Sequence, residues 1–306
     1  KQYSSLQPRL SFRYLIDQKS SFKMGYAKMG QFLHLLTNSG IGLPTDLWVP
    51  ATEKIKPQFS DQIAAGYART FKDKFEVSLE GYYKTMDNLI EYKDGASFFD
   101  NETDWQDKVH IGRGWSYGGE LLVEKKIGKT TGWIGYTLSW TNRQFDSINF
   151  GDSYPYRYDR RHDIGIAVTH EINDRINIGM VWVYGTGNAV TLGLESYSSF
   201  NTSLVDNISN FSINTNNDFN PNISTVNHIE SRNNYRMPAY HRLDVSINMK
   251  KEKKWGERTW SFGVYNAYSR QNPFYLEFTR NENGDPQLSQ FSLFPLIPSF
   301  TYSFKF

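Results

Sequence analysis

The residues that could carry metal chemistry are six histidines, at positions 34, 110, 162, 170, 228 and 241, and their spacing forms no ligand set. His162 and His170 lie eight apart on one strand face, too far apart for a shared metal. Cysteine is absent from the 306 residues, so thiolate catalysis and disulfides are excluded. No Gly-rich phosphate loop or nucleophile elbow occurs; Gly112-Arg113-Gly114 and Gly185-Thr186-Gly187 read as strand-end glycines. Glu76 and Glu80 alternate along one strand, which suits a wetted wall better than general acid–base work. Enzymatic chemistry, a metal and a cofactor are therefore not expected.

Recognition chemistry is better represented. Arg242 and Asp244 alternate with Leu243 and Val245, so the two charges share a face opposite the apolar one; Arg160, Arg161 and Asp163 form a second charged group. Both groups are expected on the inner side of a curved sheet. They would contact a ligand or filling domain there, or form a charge ladder that hydrates the wall. Aromatics with a few carboxylates recur in three loops: Asp46 and Trp48 in 37–57, Phe98, Phe99 and Trp105 in 93–108, and Asp152, Tyr154 and Tyr156 in 147–156. Such a set suits a sugar, a peptide or a metal chelate without choosing among them, and each ring could equally serve loop packing.

The elements that must position these residues are strands. Apolar residues recur at every second position in Phe75–Tyr83, Ile134–Trp140, Ile164–Val168, Ile176–Tyr184, Leu243–Met249 and Trp260–Val264. The last nine residues put Phe300, Tyr302, Phe304 and Phe306 on one face and Ser299, Thr301, Ser303 and Lys305 on the other. Four aromatics on one face of a closing strand invite aggregation in water and suit a lipid-facing strand. Mean hydropathy is −0.60 and no run approaches the roughly 18–20 apolar residues of a membrane helix, which leaves a membrane barrel open because its strands average out as polar. Aromatics make up 16% of the chain, enough to furnish two interfacial girdles. A net charge of +2 without a basic stripe implies no nucleic-acid partner.

Eleven strands are expected, near 8–17, 20–33, 58–71, 74–92, 109–126, 131–146, 157–172, 175–190, 239–251, 257–280 and 286–306. Short turns after the first, third, fifth, seventh and ninth alternate with long loops 37–57, 93–108, 147–156 and 191–238. Asn281–Asp285 breaks the rule, being short where a long loop is due. That alternation is the mark of an antiparallel transmembrane β-barrel, with short turns periplasmic and long loops outside. The expected class is all-β. An odd strand count and strands of roughly 20 residues point to part of a larger, plugged barrel of about 22 strands.

Several segments carry a family resemblance: Leu43-Pro44-Thr45-Asp46-Leu47-Trp48-Val49-Pro50 with Ile55-Lys56-Pro57-Gln58 and Asp61–Tyr67, Leu79-Glu80-Gly81-Tyr82-Tyr83-Lys84 with Ile90-Glu91-Tyr92-Lys93, Gly118-Gly119-Glu120-Leu121, Asp159-Arg160-Arg161-His162-Asp163, Tyr240-His241-Arg242-Leu243-Asp244 and Asn266-Ala267-Tyr268-Ser269-Arg270-Gln271-Asn272-Pro273. Their order and spacing resemble the C-terminal half of the barrel of a TonB-dependent outer-membrane receptor, of the type with a carboxypeptidase-regulatory-like extension. The resemblance implies TonB-energised uptake of a scarce solute through the outer membrane of a Gram-negative cell. The alternative is a receptor-like barrel kept as a scaffold subunit. Residues 1–306 are then expected to be the C-terminal portion of one barrel domain, with the plug and the TonB-engaging segment lying outside them. The implied partners are the N-terminal half of the receptor, TonB through that half, outer-membrane lipid and lipopolysaccharide, the barrel assembly machinery, and a surface lipoprotein or other outer-membrane subunits. Phe300, Tyr302, Phe304 and Phe306 resemble the assembly signal of such barrels.

Overall fold

A computed structural model describes residues 2–38, 40–41, 46–94, 96, 104–193, 195–200 and 223–306. Eleven strands run in one antiparallel path: β1 (Arg9–Leu15), β2 (Ser20–Gln31), β3 (Gln58–Phe71), β4 (Phe75–Tyr92), β5 (Val109–Lys125), β6 (Thr130–Gln144), β7 (His162–Asn173), β8 (Ile176–Gly185), β9 (Tyr240–Lys253), β10 (Gly256–Tyr265) and β11 (Ile297–Lys305). Each strand pairs with its neighbours in chain order, and Tyr154–Pro155 pairs beside β6. β1 and β11 have one neighbour each, so the described sheet is open.

Period-two patterning becomes a two-sided wall through register. Tyr14, Phe22, Tyr67, Leu79, Leu121, Tyr136, Ile164 and Tyr184 are successive direct partners across β1 to β8, and Phe300, Phe262, Ile247 and Ile178 continue the same face from β11 back to β8. The opposite face carries Lys23, Gly66, Glu80, Glu120, Thr137, Asp163 and Gly185 in one row. A one-residue slip at any junction would swap the faces of a strand. A charge at the bilayer midplane costs about 2–4 kcal/mol, so the apolar face meets lipid and the polar face lines the lumen.

Four boundaries differ from the sequence reading by five residues or more, among them the start of β11, which is at Ile297 rather than 286. β10 stops at Tyr265 instead of continuing to 280, because Asn266 takes a left-handed conformation (φ 51°) and turns the chain. The Asn266 side chain is fully buried; it donates to the carbonyls of Arg270 (2.9 Å) and Phe294 (3.1 Å) and accepts from the Arg270 N–H (3.0 Å). The segment Pro273–Arg280 and Pro286–Ser292 is a separate hairpin. Asn281–Asp285 is therefore the tip of an insertion, and the connection from β10 to β11 is long, which removes the one exception to the alternation of short and long links. β7 begins at His162 rather than 157, because the Arg157 carbonyl accepts from Ala189 and the buried Asp159 caps the Thr141 N–H, which holds that stretch in a turn. β8 ends at Gly185, and Ala189–Val190 pairs with Tyr235–Arg236 instead.

The packed interior sits at the long-loop end, where hairpin Leu33–Thr37/Asp46–Pro50 and the other connections fold over the strand ends. Leu36, Val49, Ile55, Ile90, Tyr92 and Val109 form one cluster, Leu89, Phe145, Ile148 and Tyr154 a second, and Val190, Met237 and Leu276 a third. Full burial of each large side chain contributes about 1.5–3 kcal/mol, so the outer layer is tied to the wall by ordinary core packing.

Candidate functional site

A β-bulge builds the site. Asn88 in β4 sits at φ 58° between the pairs Asp87–Arg113 and Leu89–Gly112, and its side chain donates to the Pro57 carbonyl at 2.9 Å. The extra residue reverses the facing of everything beyond it. Leu89 and Glu91 thereby join Gly112 and His110 on the lumen face, while Ile90 and Tyr92 pack outward under the hairpin. Gly112 is required there, since a Cβ would lie 2.4 Å from the Phe145 ring.

Glu91, 2% exposed, is the hub of a buried ion network. Arg143 on the lumen face of β6 approaches one oxygen at 3.4 Å; Arg232, returning from the long connection after β8, donates to the other at 3.1 Å. Arg232 also reaches Asp94 (2.7 Å) and the Tyr92 carbonyl (3.4 Å), and its N–H donates to Asn149 Oδ1 (2.8 Å). The Arg143 guanidinium lies over the Tyr156 ring at 3.6 Å from its centroid. Four separate chain segments are thus held by two shielded cations around the buried Glu91, with the exposed Asp94 at the rim.

Against this network lies a cleft of about 670 Å³, bordered by Lys93, Asp94, Asp146, Phe150, Glu230 and Arg232 among others. That volume is in the range of small-molecule sites. Phe150 is 95% exposed and sits at φ 56°, ψ 22°, between Asn149 (φ 53°) and Gly151 (φ 84°). A non-glycine aromatic held in left-handed backbone and turned out to solvent is strain without a packing return.

Of the eight loop residues singled out from sequence, none of the six that are described borders this cleft. Tyr154 is buried in the second cluster; burial, and then the Glu91 charge, push its phenol far up, so it stays neutral. Tyr156 is occupied by Arg143 and by an edge contact with Tyr158, and burial raises its phenol as well. Asp46 accepts from Tyr158 at 2.5 Å; burial, and then that bond, raise the Tyr158 phenol. Trp105 packs against the first cluster, while Trp48 and Asp152 are exposed. Phe98 and Phe99, and residues 194 and 201–222 of loop 191–238, lie outside the described residues.

In the wall, Asp163, Arg242 and Asp244 stand on the polar face by register. Arg242 donates to Asp244 (3.0 Å), Tyr240 (2.9 Å) and Tyr265 (2.7 Å), and Asp244 accepts from the Asn266 N–H (2.9 Å), so this pair fastens the turn after β10. Arg160 pairs with Asp163 at 3.6 Å. Arg161 departs from the lumen expectation: its guanidinium lies 4.5 Å from the centroid of Trp140, which stacks on Tyr117 on the apolar face. Its other neighbour, Asp159, also holds Arg236. Phe300 and Tyr302 pack on Trp260, and Phe262 on Phe300, along the lipid face. The residues missed from sequence are Glu91, Arg143, Phe150 and Arg232; of these only Glu91 lay in a quoted segment, and its facing depends on the bulge.

Among the described residues no group of three or more His, Asp or Glu could hold a metal ion. No curated protein matches the chain. A family model described as TonB dependent receptor-like, beta-barrel, matches residues 1–267. Solved structures match at low identity. The ferric-catecholate import receptor Fiu from K12 E. coli is 14% identical, with 96% of this chain and 34% of that one covered and a TM-score of 0.53. The pyoverdine outer membrane receptor FpvA from Pseudomonas aeruginosa PAO1 is 10% identical, with 98% and 36% covered and a TM-score of 0.56. The ferric citrate transporter FecA is 9% identical, with 98% and 38% covered and a TM-score of 0.54. The chain spans about a third of the length of these structures, and at such identity the likeness shows the fold.

Proposed function

The chain belongs to the TonB dependent receptor-like β-barrel family, and from that premise we propose that it forms the solute-selecting part of a receptor that takes up a scarce solute with energy from TonB. It is an outer-membrane β-barrel protein of a Gram-negative bacterium and not an enzyme. The observation that carries the reading is the cleft bordered by the Glu91 network, with Phe150 displayed at its edge. A pinned, charged wall facing an exposed aromatic is a preorganised surface for a compact polar solute. The names of the solved structures, a ferric-catecholate receptor, a pyoverdine receptor and a ferric citrate transporter, make a ferric chelate the first class to try. In this reading the N-terminal half of the receptor pairs with β1 and β11, supplies the plug, and engages TonB. The wall needs such a completion, because an open edge in lipid leaves backbone groups unsatisfied at several kcal/mol each.

The test is uptake of radiolabelled iron chelates by cells expressing the full-length receptor, in hosts with and without TonB. TonB-dependent uptake of one chelate, reduced by Phe150→Ala at unchanged receptor level, supports the reading. A receptor present in the outer membrane but inert toward every chelate with TonB present sinks the ferric-chelate reading; inertness toward sugars and peptides too leaves the scaffold alternative.

A further inference from the structure

We propose that the lipid-facing wall carries a specific site for an anionic phospholipid at the periplasmic end of β8, β9 and β10. The register makes Lys251 and Arg258 direct partners, two residues beyond the pair Met249–Trp260 and on the same lipid-facing side. Like charges placed opposite each other across two strands are destabilising unless an anion lies between them. Arg175 joins them from the adjoining turn, where its carbonyl accepts from the Lys250 N–H at 2.7 Å.

No carboxylate pairs with Arg175, Lys251 or Arg258 among the described residues. The nearby acids Glu252 and Glu257 are partners of each other and fall on the lumen face. Arg258 Nε is shielded from solvent and has no hydrogen-bond partner among the described residues. These three cations border a groove of about 520 Å³ floored by Ile176, Met249, Trp260 and Phe262. Trp255 is 83% exposed at the tip of the adjoining short turn, where an interfacial aromatic belongs.

An apolar floor on the membrane side with cations at one end is complementary to an acyl chain under a phosphate. Arg and Lys donors to phosphate oxygens form charge-assisted bonds, and Arg does so bidentately. The short turns set the depth: they are periplasmic, so the cations sit at the inner leaflet of the outer membrane, at phospholipid headgroup level. That placement selects an anionic phospholipid over the phosphates of lipid A, which lie in the other leaflet.

Native mass spectrometry of the full-length receptor, released from detergent with added phosphatidylglycerol, phosphatidylcholine or lipid A, tests the site. Phosphatidylglycerol is expected to be retained over phosphatidylcholine. Its retention should fall roughly tenfold in Lys251→Gln/Arg258→Gln, the loss of charged hydrogen bonds, and stay unchanged in Lys23→Gln on the lumen face. Heat-modifiable mobility certifies that each variant is a folded barrel; if the double variant fails that check, Lys251→Gln alone at the exposed rim is read instead. Equal retention of phosphatidylcholine, preference for lipid A, or retention of phosphatidylglycerol unchanged by the substitutions overturns the proposal.

Discussion

Replacing Glu91 by alanine should release the outer layer from the wall. The carboxylate is 3% exposed and holds Arg143 and Arg232, whose side chains are 10% and 11% exposed. Removing one partner of a buried ion pair costs about 3–5 kcal/mol because the remaining charge is left uncompensated. Both guanidiniums keep other partners: Arg232 retains Asp94 and the Tyr92 carbonyl, and Arg143 retains the Ile90 carbonyl and the Tyr156 ring. The lower end, about 3 kcal/mol, is therefore expected, which raises the local opening equilibrium roughly 100-fold. Hydrogen exchange of the full-length receptor in membrane mimetic reads this directly. Amides in 146–156 and 229–236 should exchange about two decades faster, with β7 to β11 unchanged. Glu120→Gln, on the lumen face of β5 away from this network, should leave those amides alone. A rise of less than threefold in 229–236, or a rise spread evenly over the wall, would refute the claim that Glu91 pins that segment.

Asn266→Ala removes three hydrogen bonds at about 1 kcal/mol each and loses asparagine's tolerance of left-handed backbone at a further ~1 kcal/mol, so limited proteolysis should cut 266–296 much faster; Asn266→Gly should lose the hydrogen bonds without that further cost. His34 is 1% exposed and burial holds its pKa below the ordinary 6.5, although a hydrogen bond to the Lys56 carbonyl opposes the shift. The unfolded hairpin then binds the proton more readily than the folded one. Its stability is full above pH 6.5 and declines as pH falls below that value, a loss that Trp48 fluorescence should report and His34→Gln should abolish. Phe150→Gly should stabilise the connection by about 1 kcal/mol in exchange experiments while lowering solute uptake, separating strain from use. Phe262→Lys, in the middle of the lipid face, should lower refolding stability in vesicles by about 2–4 kcal/mol, whereas Ser261→Lys on the lumen side should cost far less.

Much of the wall was legible in the sequence because strand formation in a barrel is decided by local alternation. Leu243, Val245, Ile247 and Met249 announce one face of β9 without knowledge of β8 or β10, and Asn173 with Asp174 announces the turn between β7 and β8. The one apparent flaw in the alternation of links came from Pro273–Arg280, which is as strand-like as any wall segment. Whether it continues β10 depends on Asn266, and left-handed backbone at an asparagine leaves no reliable trace in composition. The site was less legible. Loop aromatics such as Tyr154 and Trp105 look available for ligands, yet folding spends them on packing against β4 and its neighbours.

The sequence by itself determined that this chain is an antiparallel membrane wall, which face meets lipid, and which end carries the elaborated links, because these follow from residues one or two positions apart. Only the tertiary structure decided what the outer end does. One extra residue at Asn88 turns Glu91 from the lipid side to the lumen side, and its partners lie 52 and 141 positions away in the chain. Pairings at that separation are fixed by register and packing, which no local pattern encodes.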